Sequence, residues 1–170
     1  PDRFHADALA GLGPYRVLRF MDLMATNNAP WTDWCGYPRQ DDAMWNGVSP
    51  GNPGGRLAGV SPAGALPAET IGDFANTANA DPWVTIPHMA DDSFVLGFAT
   101  ALADRLGPSR RIWVEYTNEA WNGSFTQQTY IARTWCSRYA DLAAGCAADT
   151  VPGNGTICDG FPTTWNQSCG

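Results

Sequence analysis

Short apolar runs alternate with longer amphipathic stretches along this chain. Arg16-Val-Leu-Arg-Phe-Met-Asp22 predicts a β-strand, entered from a Gly11/Gly13-Pro14 break that ends a first helix reaching back to Arg3. Within Pro67–Ala80, Ile71, Phe74, Ala75 and Ala78 recur at helical spacing. Pro82-Trp-Val-Thr-Ile-Pro87 predicts a second strand, closed by Pro87 and His88. Asp91 or Asp92 is placed to cap the next helix, whose Phe94, Val95, Phe98, Leu102 and Leu106 form one apolar stripe before Gly107-Pro108 stops it. Arg111-Ile-Trp-Val-Glu-Tyr-Thr-Asn118 predicts a third strand. Ser124 with Gln127 predicts a capping box for a last helix through Tyr130, Ile131, Trp135, Tyr139 and Leu142.

Strands alternating with helices argue for parallel βαβ units and an α/β fold. Three strands make half of a (β/α)8 barrel or the core of a small open sheet. The third strand favours the barrel. Ile112, Val114 and Tyr116 would face helices, and Trp113, Glu115 and Thr117 the other way. An open doubly wound sheet is apolar on both faces, whereas a charged Glu on the inward face suits a barrel interior. The first strand repeats this, with Leu18 and Phe20 on one face and Val17, Arg19 and Met21 on the other. At 170 residues the chain is shorter than a complete barrel, which takes at least about 200. Its lack of a starting Met and its opening inside a helix mark it as a piece of something longer.

Composition then narrows the function classes. All ten basic residues are Arg, and the net charge of −7 argues against nucleic acid or an anionic membrane surface as partner. No apolar run approaches the ~20 residues of a membrane span. Eight Trp suggest either a sugar-stacking surface or a Trp-rich core. The five Cys form no C-x-x-C pair, and Cys146, Cys158 and Cys169 cluster in a Gly/Pro/Thr-rich tail. That pattern reads as disulfides of a secreted or cell-surface protein. The Ala/Gly-rich composition without Lys hints at a bacterial source. No second His or carboxylate stands at ligand spacing near His88, so neither a metal nor another cofactor is expected.

Only three Glu occur, Glu69, Glu115 and Glu119. Glu119 ends a predicted parallel strand, follows Asn118, and is followed by Trp121 and Asn122. Active sites of barrels lie at the carboxyl ends of the strands, so a Glu here stands in the mouth. The segment Val114-Glu-Tyr-Thr-Asn-Glu-Ala-Trp-Asn122 resembles the fourth-strand motif of the clan A retaining glycoside hydrolases, a (β/α)8 superfamily. Leu18-Arg19-Phe20 resembles that clan's second-strand segment, and Ile86-Pro87-His88 falls at the third-strand end. The likeness covers roughly residues 5 to 140; the chain is also similar to bacterial proteins described as cellulose-binding.

The resemblance implies a partial barrel, about strands two to four with their helices, over residues 1–145, followed by a Cys-containing loop or insertion over 146–170. It implies Glu119 as general acid/base, Asn118 on the sugar 2-hydroxyl, Arg19 beneath the carboxylates and His88 at the substrate. Arg19 could instead simply pair with Glu115, since alternate barrel strands share an interior layer. Trp121 could stack on a sugar ring. Retaining hydrolysis needs a second carboxyl about 5–5.5 Å from the first. The clan carries it on strand seven, outside this chain. Glu69 starts a helix, and Glu115 lies about 13 Å along the strand from Glu119, so neither substitutes. The expected partner is a β-linked polysaccharide or oligosaccharide, bound by a hydrolase fragment that is inactive alone or by a non-catalytic binding protein. The oligomeric state is left open.

The Pro- and Gly-rich segment 23–66 is long for a loop, and it leaves the catalytic end of its strand. Trp31, Trp34, Tyr37 and Trp45 along it would suit pyranose stacking, or form a satellite core that pins the loop down. Asp22, Asn27 and Asn28, just past the strand end, are placed to bond sugar hydroxyls. Trp83, Trp113 and Trp135 lie inside predicted elements and read as core.

Overall fold

A computed structural model describes residues 4–42 and 65–138. Trp45, Tyr139, Leu142, Cys146, Cys158, Cys169 and the whole 146–170 tail lie outside the described residues. The chain divides into two compact units, Pro1–Asn118 and Glu119–Gly170. In the first, the order is α1 (Ala6–Leu12), β1 (Val17–Arg19), α2 (Ala68–Thr77), β2 (Asp81–Ile86), α3 (Asp92–Ala103) and β3 (Trp113–Tyr116). The second contains α4 (Thr126–Arg138).

The three strands form one parallel sheet in the order β1-β2-β3. Arg19 pairs with Trp83, which in turn pairs with Trp113, so these residues stand abreast across the sheet. Glu115 pairs with Thr85 one step further along. Alternation then sends Arg19, Trp83, Trp113, Thr85 and Glu115 to one face, and Phe20 and Val84 to the other.

The second face carries the core. Phe20, Val84, Ile71 of α2, and Phe94, Phe98 and Leu102 of α3 are buried together. The α3 stripe is narrower than its sequence suggests: Phe94, Phe98 and Leu102, four residues apart, are buried, while Val95 is exposed. Asp91 is the N-cap, its carboxylate accepting from Phe94 N at 2.9 Å. Those bonds to the ionised form, from Ser93 Oγ and Phe94 N, hold its pKa below the ordinary carboxylate value.

The other face of the sheet has no helix over it among the described residues of this unit, and at β3 the residues expected to face helices, Ile112, Val114 and Tyr116, are exposed as well. Trp83 and Trp113 are not core; they are 36% and 50% exposed because their side chains leave the strands on the uncovered side. In the second unit, Trp135 is likewise exposed on α4. α4 begins at Thr126, and Ser124 N–H donates to Asn122 Oδ1 at 3.0 Å.

Candidate functional site

The first half of segment 23–66 is folded, and it divides its residues between two places. After β1 the chain turns back on itself: Met24 N donates to Phe20 O, and Thr26 N and Thr26 Oγ1 both donate to Met21 O. Thr26 is buried, and its hydroxyl meets the buried Thr85 hydroxyl of β2. This anchors the turn over the strand ends and sets Asn27 beside the end of β3.

There a continuous polar chain runs across the uncovered face. Glu115 Oε2 accepts from Arg19 Nε at 3.0 Å and from a terminal Arg19 nitrogen at 2.7 Å. The same terminal nitrogen donates to Asn118 Oδ1 at 2.9 Å. Asn118 Nδ2 in turn donates to Asn27 Oδ1 at 3.0 Å. The Arg19 guanidinium also lies 5.1 Å from the centre of the Trp83 ring, within the range of cation–π attraction. Arg19 therefore pairs with Glu115, one of the two readings its sequence allowed, and also contacts Asn118. Glu115 is occupied by this pairing.

Asn118 is buried, and so is its neighbour Thr117, a β-branched residue held at φ 51° with its hydroxyl buried and unbonded. Left-handed backbone at such a residue is costly, of order 1–3 kcal/mol, and is kept only where the surroundings over-determine it. Glu119 follows at φ 42°. Within the second unit, Asn122 Nδ2 donates to Glu119 Oε2 at 2.7 Å and Asn122 N to Glu119 O at 2.9 Å. Trp121, 78% exposed, stands between these two residues in sequence.

His88 is buried at the end of β2, and its carbonyl accepts from the Tyr116 hydroxyl at 3.0 Å. Burial pushes its imidazole down from 6.5 to about 4, so it is neutral at physiological pH. Asp22 is exposed at the start of the turn. Trp31 and Trp34 go to the other side of the sheet. Trp31 is 4% exposed within the core. Trp34 stacks on Tyr37 and meets Phe94 and Phe98 edge-on. These rings form the satellite core, not a platform beside Asn118.

A cavity of about 450 Å³ also lies on the helix side, lined by Trp34, Arg39, Glu69 and residues of α3. The Arg39 guanidinium covers the Trp34 ring at 4.0 Å. Glu69 Oε2 and Arg39 Nε are buried there without hydrogen bonds. Among the described residues no group of three His, Cys, Asp or Glu is gathered as metal ligands, and no helix is long and apolar enough to cross a membrane.

Arg19 and Glu115 compensate one another's charge, and the Asn118 amide is bonded to the same guanidinium that lies over Trp83. Compared with known proteins, the chain matches no family model, no curated protein and no solved structure. The sequence pointed to Arg19, Asn118 and Asn27 separately. It carried no sign that Asn27 bonds Asn118, because that contact spans 91 residues and depends on how the turn after β1 folds.

Proposed function

We propose that this chain is part of an exported retaining glycoside hydrolase acting on a β-linked polysaccharide, with Glu119 as its general acid/base. The observation that carries this reading is the hydrogen bond from Arg19 to Asn118 at the end of a parallel strand, with Glu119 next in the chain. Asn118 bonds the sugar 2-hydroxyl, a contact that strengthens as positive charge develops at the anomeric carbon. Glu119 protonates the leaving oxygen and later takes a proton from the attacking water. The nucleophile is drawn from beyond these residues, since Arg19 holds Glu115 and Glu69 sits in the first turn of α2.

Replacing Glu119→Gln in the full-length parent tests this. Turnover of a β-linked substrate is lost while binding persists; equal activity in both proteins sinks the acid/base role. In the parent sequence, a Glu closing a strand roughly three βα units further on, about 80 to 150 residues, belongs to the same proposal. A second reading, a non-catalytic carbohydrate-binding protein on this scaffold, is favoured by Trp83 and Trp113, exposed side by side next to Arg19. It predicts no such Glu downstream and undiminished glycan binding by the Glu119→Gln variant.

A further inference from the structure

The geometry points to Asn27 as a positioning residue, one that fixes the amide of Asn118 in a single orientation instead of touching the sugar itself. The inference rests on the reading of Asn118 as the 2-hydroxyl ligand. It begins with hydrogen-bond polarity. A guanidinium carries donors only. Arg19, already bound to Glu115, therefore fixes which atom of Asn118 faces it, and that atom is Oδ1 at 2.9 Å. The nitrogen of Asn118 must then face away from Arg19, toward residue 27, and residue 27 must accept. Asn27 Oδ1 does so at 3.0 Å. One fixed donor thus orders the whole line from Glu115 to Asn27.

The backbone supports the same assignment. Among the described residues five non-glycine residues have left-handed φ, and four of them are near this pair of amides in sequence: Ala25 two before Asn27 and Asn28 next after it, Thr117 and Glu119 on either side of Asn118. Each such residue costs of order 1 kcal/mol, and strain of this kind concentrates where a side chain must be aimed. Thr26, next to Asn27, is the buried residue that ties the turn to β2 through its hydroxyl contact with Thr85. Asn27 is thereby delivered by a fixed anchor.

Two variants separate an acceptor from a mere space-filler. Asn27→Asp keeps an oxygen for Asn118 Nδ2; Asn27→Ala removes it. Both are made in the whole chain, labelled with ¹⁵N, and read by solvent exchange of the Asn118 side-chain amide protons. Thermal midpoints and the affinity for a soluble β-linked glucose tetrasaccharide complete the set. Exchange in Asn27→Asp stays near the unsubstituted rate, with unchanged midpoint and affinity. In Asn27→Ala exchange accelerates and affinity falls, each by about tenfold, as expected for one lost hydrogen bond. Slow exchange in Asn27→Ala overturns the proposal, and so does failure of Asn27→Asp to restore what Asn27→Ala loses. If exchange behaves as expected in both variants but the unsubstituted chain does not bind the tetrasaccharide, the positioning role stands and the sugar reading of the site fails.

Discussion

On the helix side of the sheet, Phe20 and Val84 are buried against Ile71, Phe94 and Phe98. On the other side, from the same strands, Arg19, Trp83 and Trp113 stand abreast within reach of solvent, with Glu115 paired to Arg19. Parallel strands are ordinarily covered on both faces and apolar on both. Here the helix face obeys that rule on β1 and β2 but not on β3, whose Val114 and Tyr116 are exposed, and the other face is partly polar. Its polar groups are also not scattered; they are joined from Glu115 through Arg19 and Asn118 to Asn27. One face therefore provides the stability of the fold, and the other spends part of that stability on holding particular groups in place.

The largest expected effect tests that division directly. Phe98 stacks on Phe94 with ring centres 5.8 Å apart and is buried. Phe98→Ala should cost about 3–5 kcal/mol in urea unfolding, from lost burial and the cavity left behind. Trp113→Ala, of larger volume but on the uncovered face, should stay within about 0.5 kcal/mol. A loss of several kcal/mol at Trp113 would break the comparison, because it would mean that this face is packed against something after all. A smaller effect belongs to the seam between α3 and the loop. A Cβ at Gly97 would run into the Trp34 ring, so Gly97→Ala should destabilise by about 1–3 kcal/mol through overpacking. Trp34→Ala in the same chain should recover part of that loss, giving a double variant more stable than the sum of the two singles.

Much of this was readable from the residues. The strands at Val17–Arg19 and Trp113–Tyr116 lie inside the predicted runs, and Asp81–Ile86 begins one residue before its run, because alternating branched and aromatic residues between Gly and Pro breaks leave few other conformations. Which face would meet helices was legible on β1 and β2, since Phe20 and Val84 share a parity that Arg19 does not, but not on β3, where Val114 and Tyr116 are exposed. The fate of each Trp was not. Trp31 and Trp34 are buried or half-buried, one of the two places their loop allowed, while Trp83 and Trp113, read as core, are exposed. An indole is amphipathic enough for either place, so its location follows from which surfaces the fold leaves uncovered. The Asn27–Asn118 contact was hidden for a related reason: its partner choice is fixed by Arg19, a third residue on another strand.

Acid provides the finest separation of the two regions. His88 is buried just past the end of β2, and its imidazole is pushed down from 6.5 to about 4. In the unfolded chain the same group binds a proton near pH 6.5, so between pH 6.5 and 4 the unfolded state carries more protons than the folded one. Stability is then fully present above pH 6.5 and falls as the pH drops toward 4. Asp91 acts in a separate window: its folded pKa is depressed, so its contribution is present above the unfolded carboxylate value near 3.8 and is lost below it. The Arg19–Glu115 pair, with both side chains about one-third exposed, contributes about 1 kcal/mol or less. Urea midpoints measured from pH 7.5 down to 4.5 should therefore decline in the unsubstituted chain. The decline should flatten in His88→Gln, which has no proton to gain, and should persist in Glu115→Gln. A decline that survives His88→Gln and vanishes in Glu115→Gln would place the acid-sensitive group on the uncovered face instead.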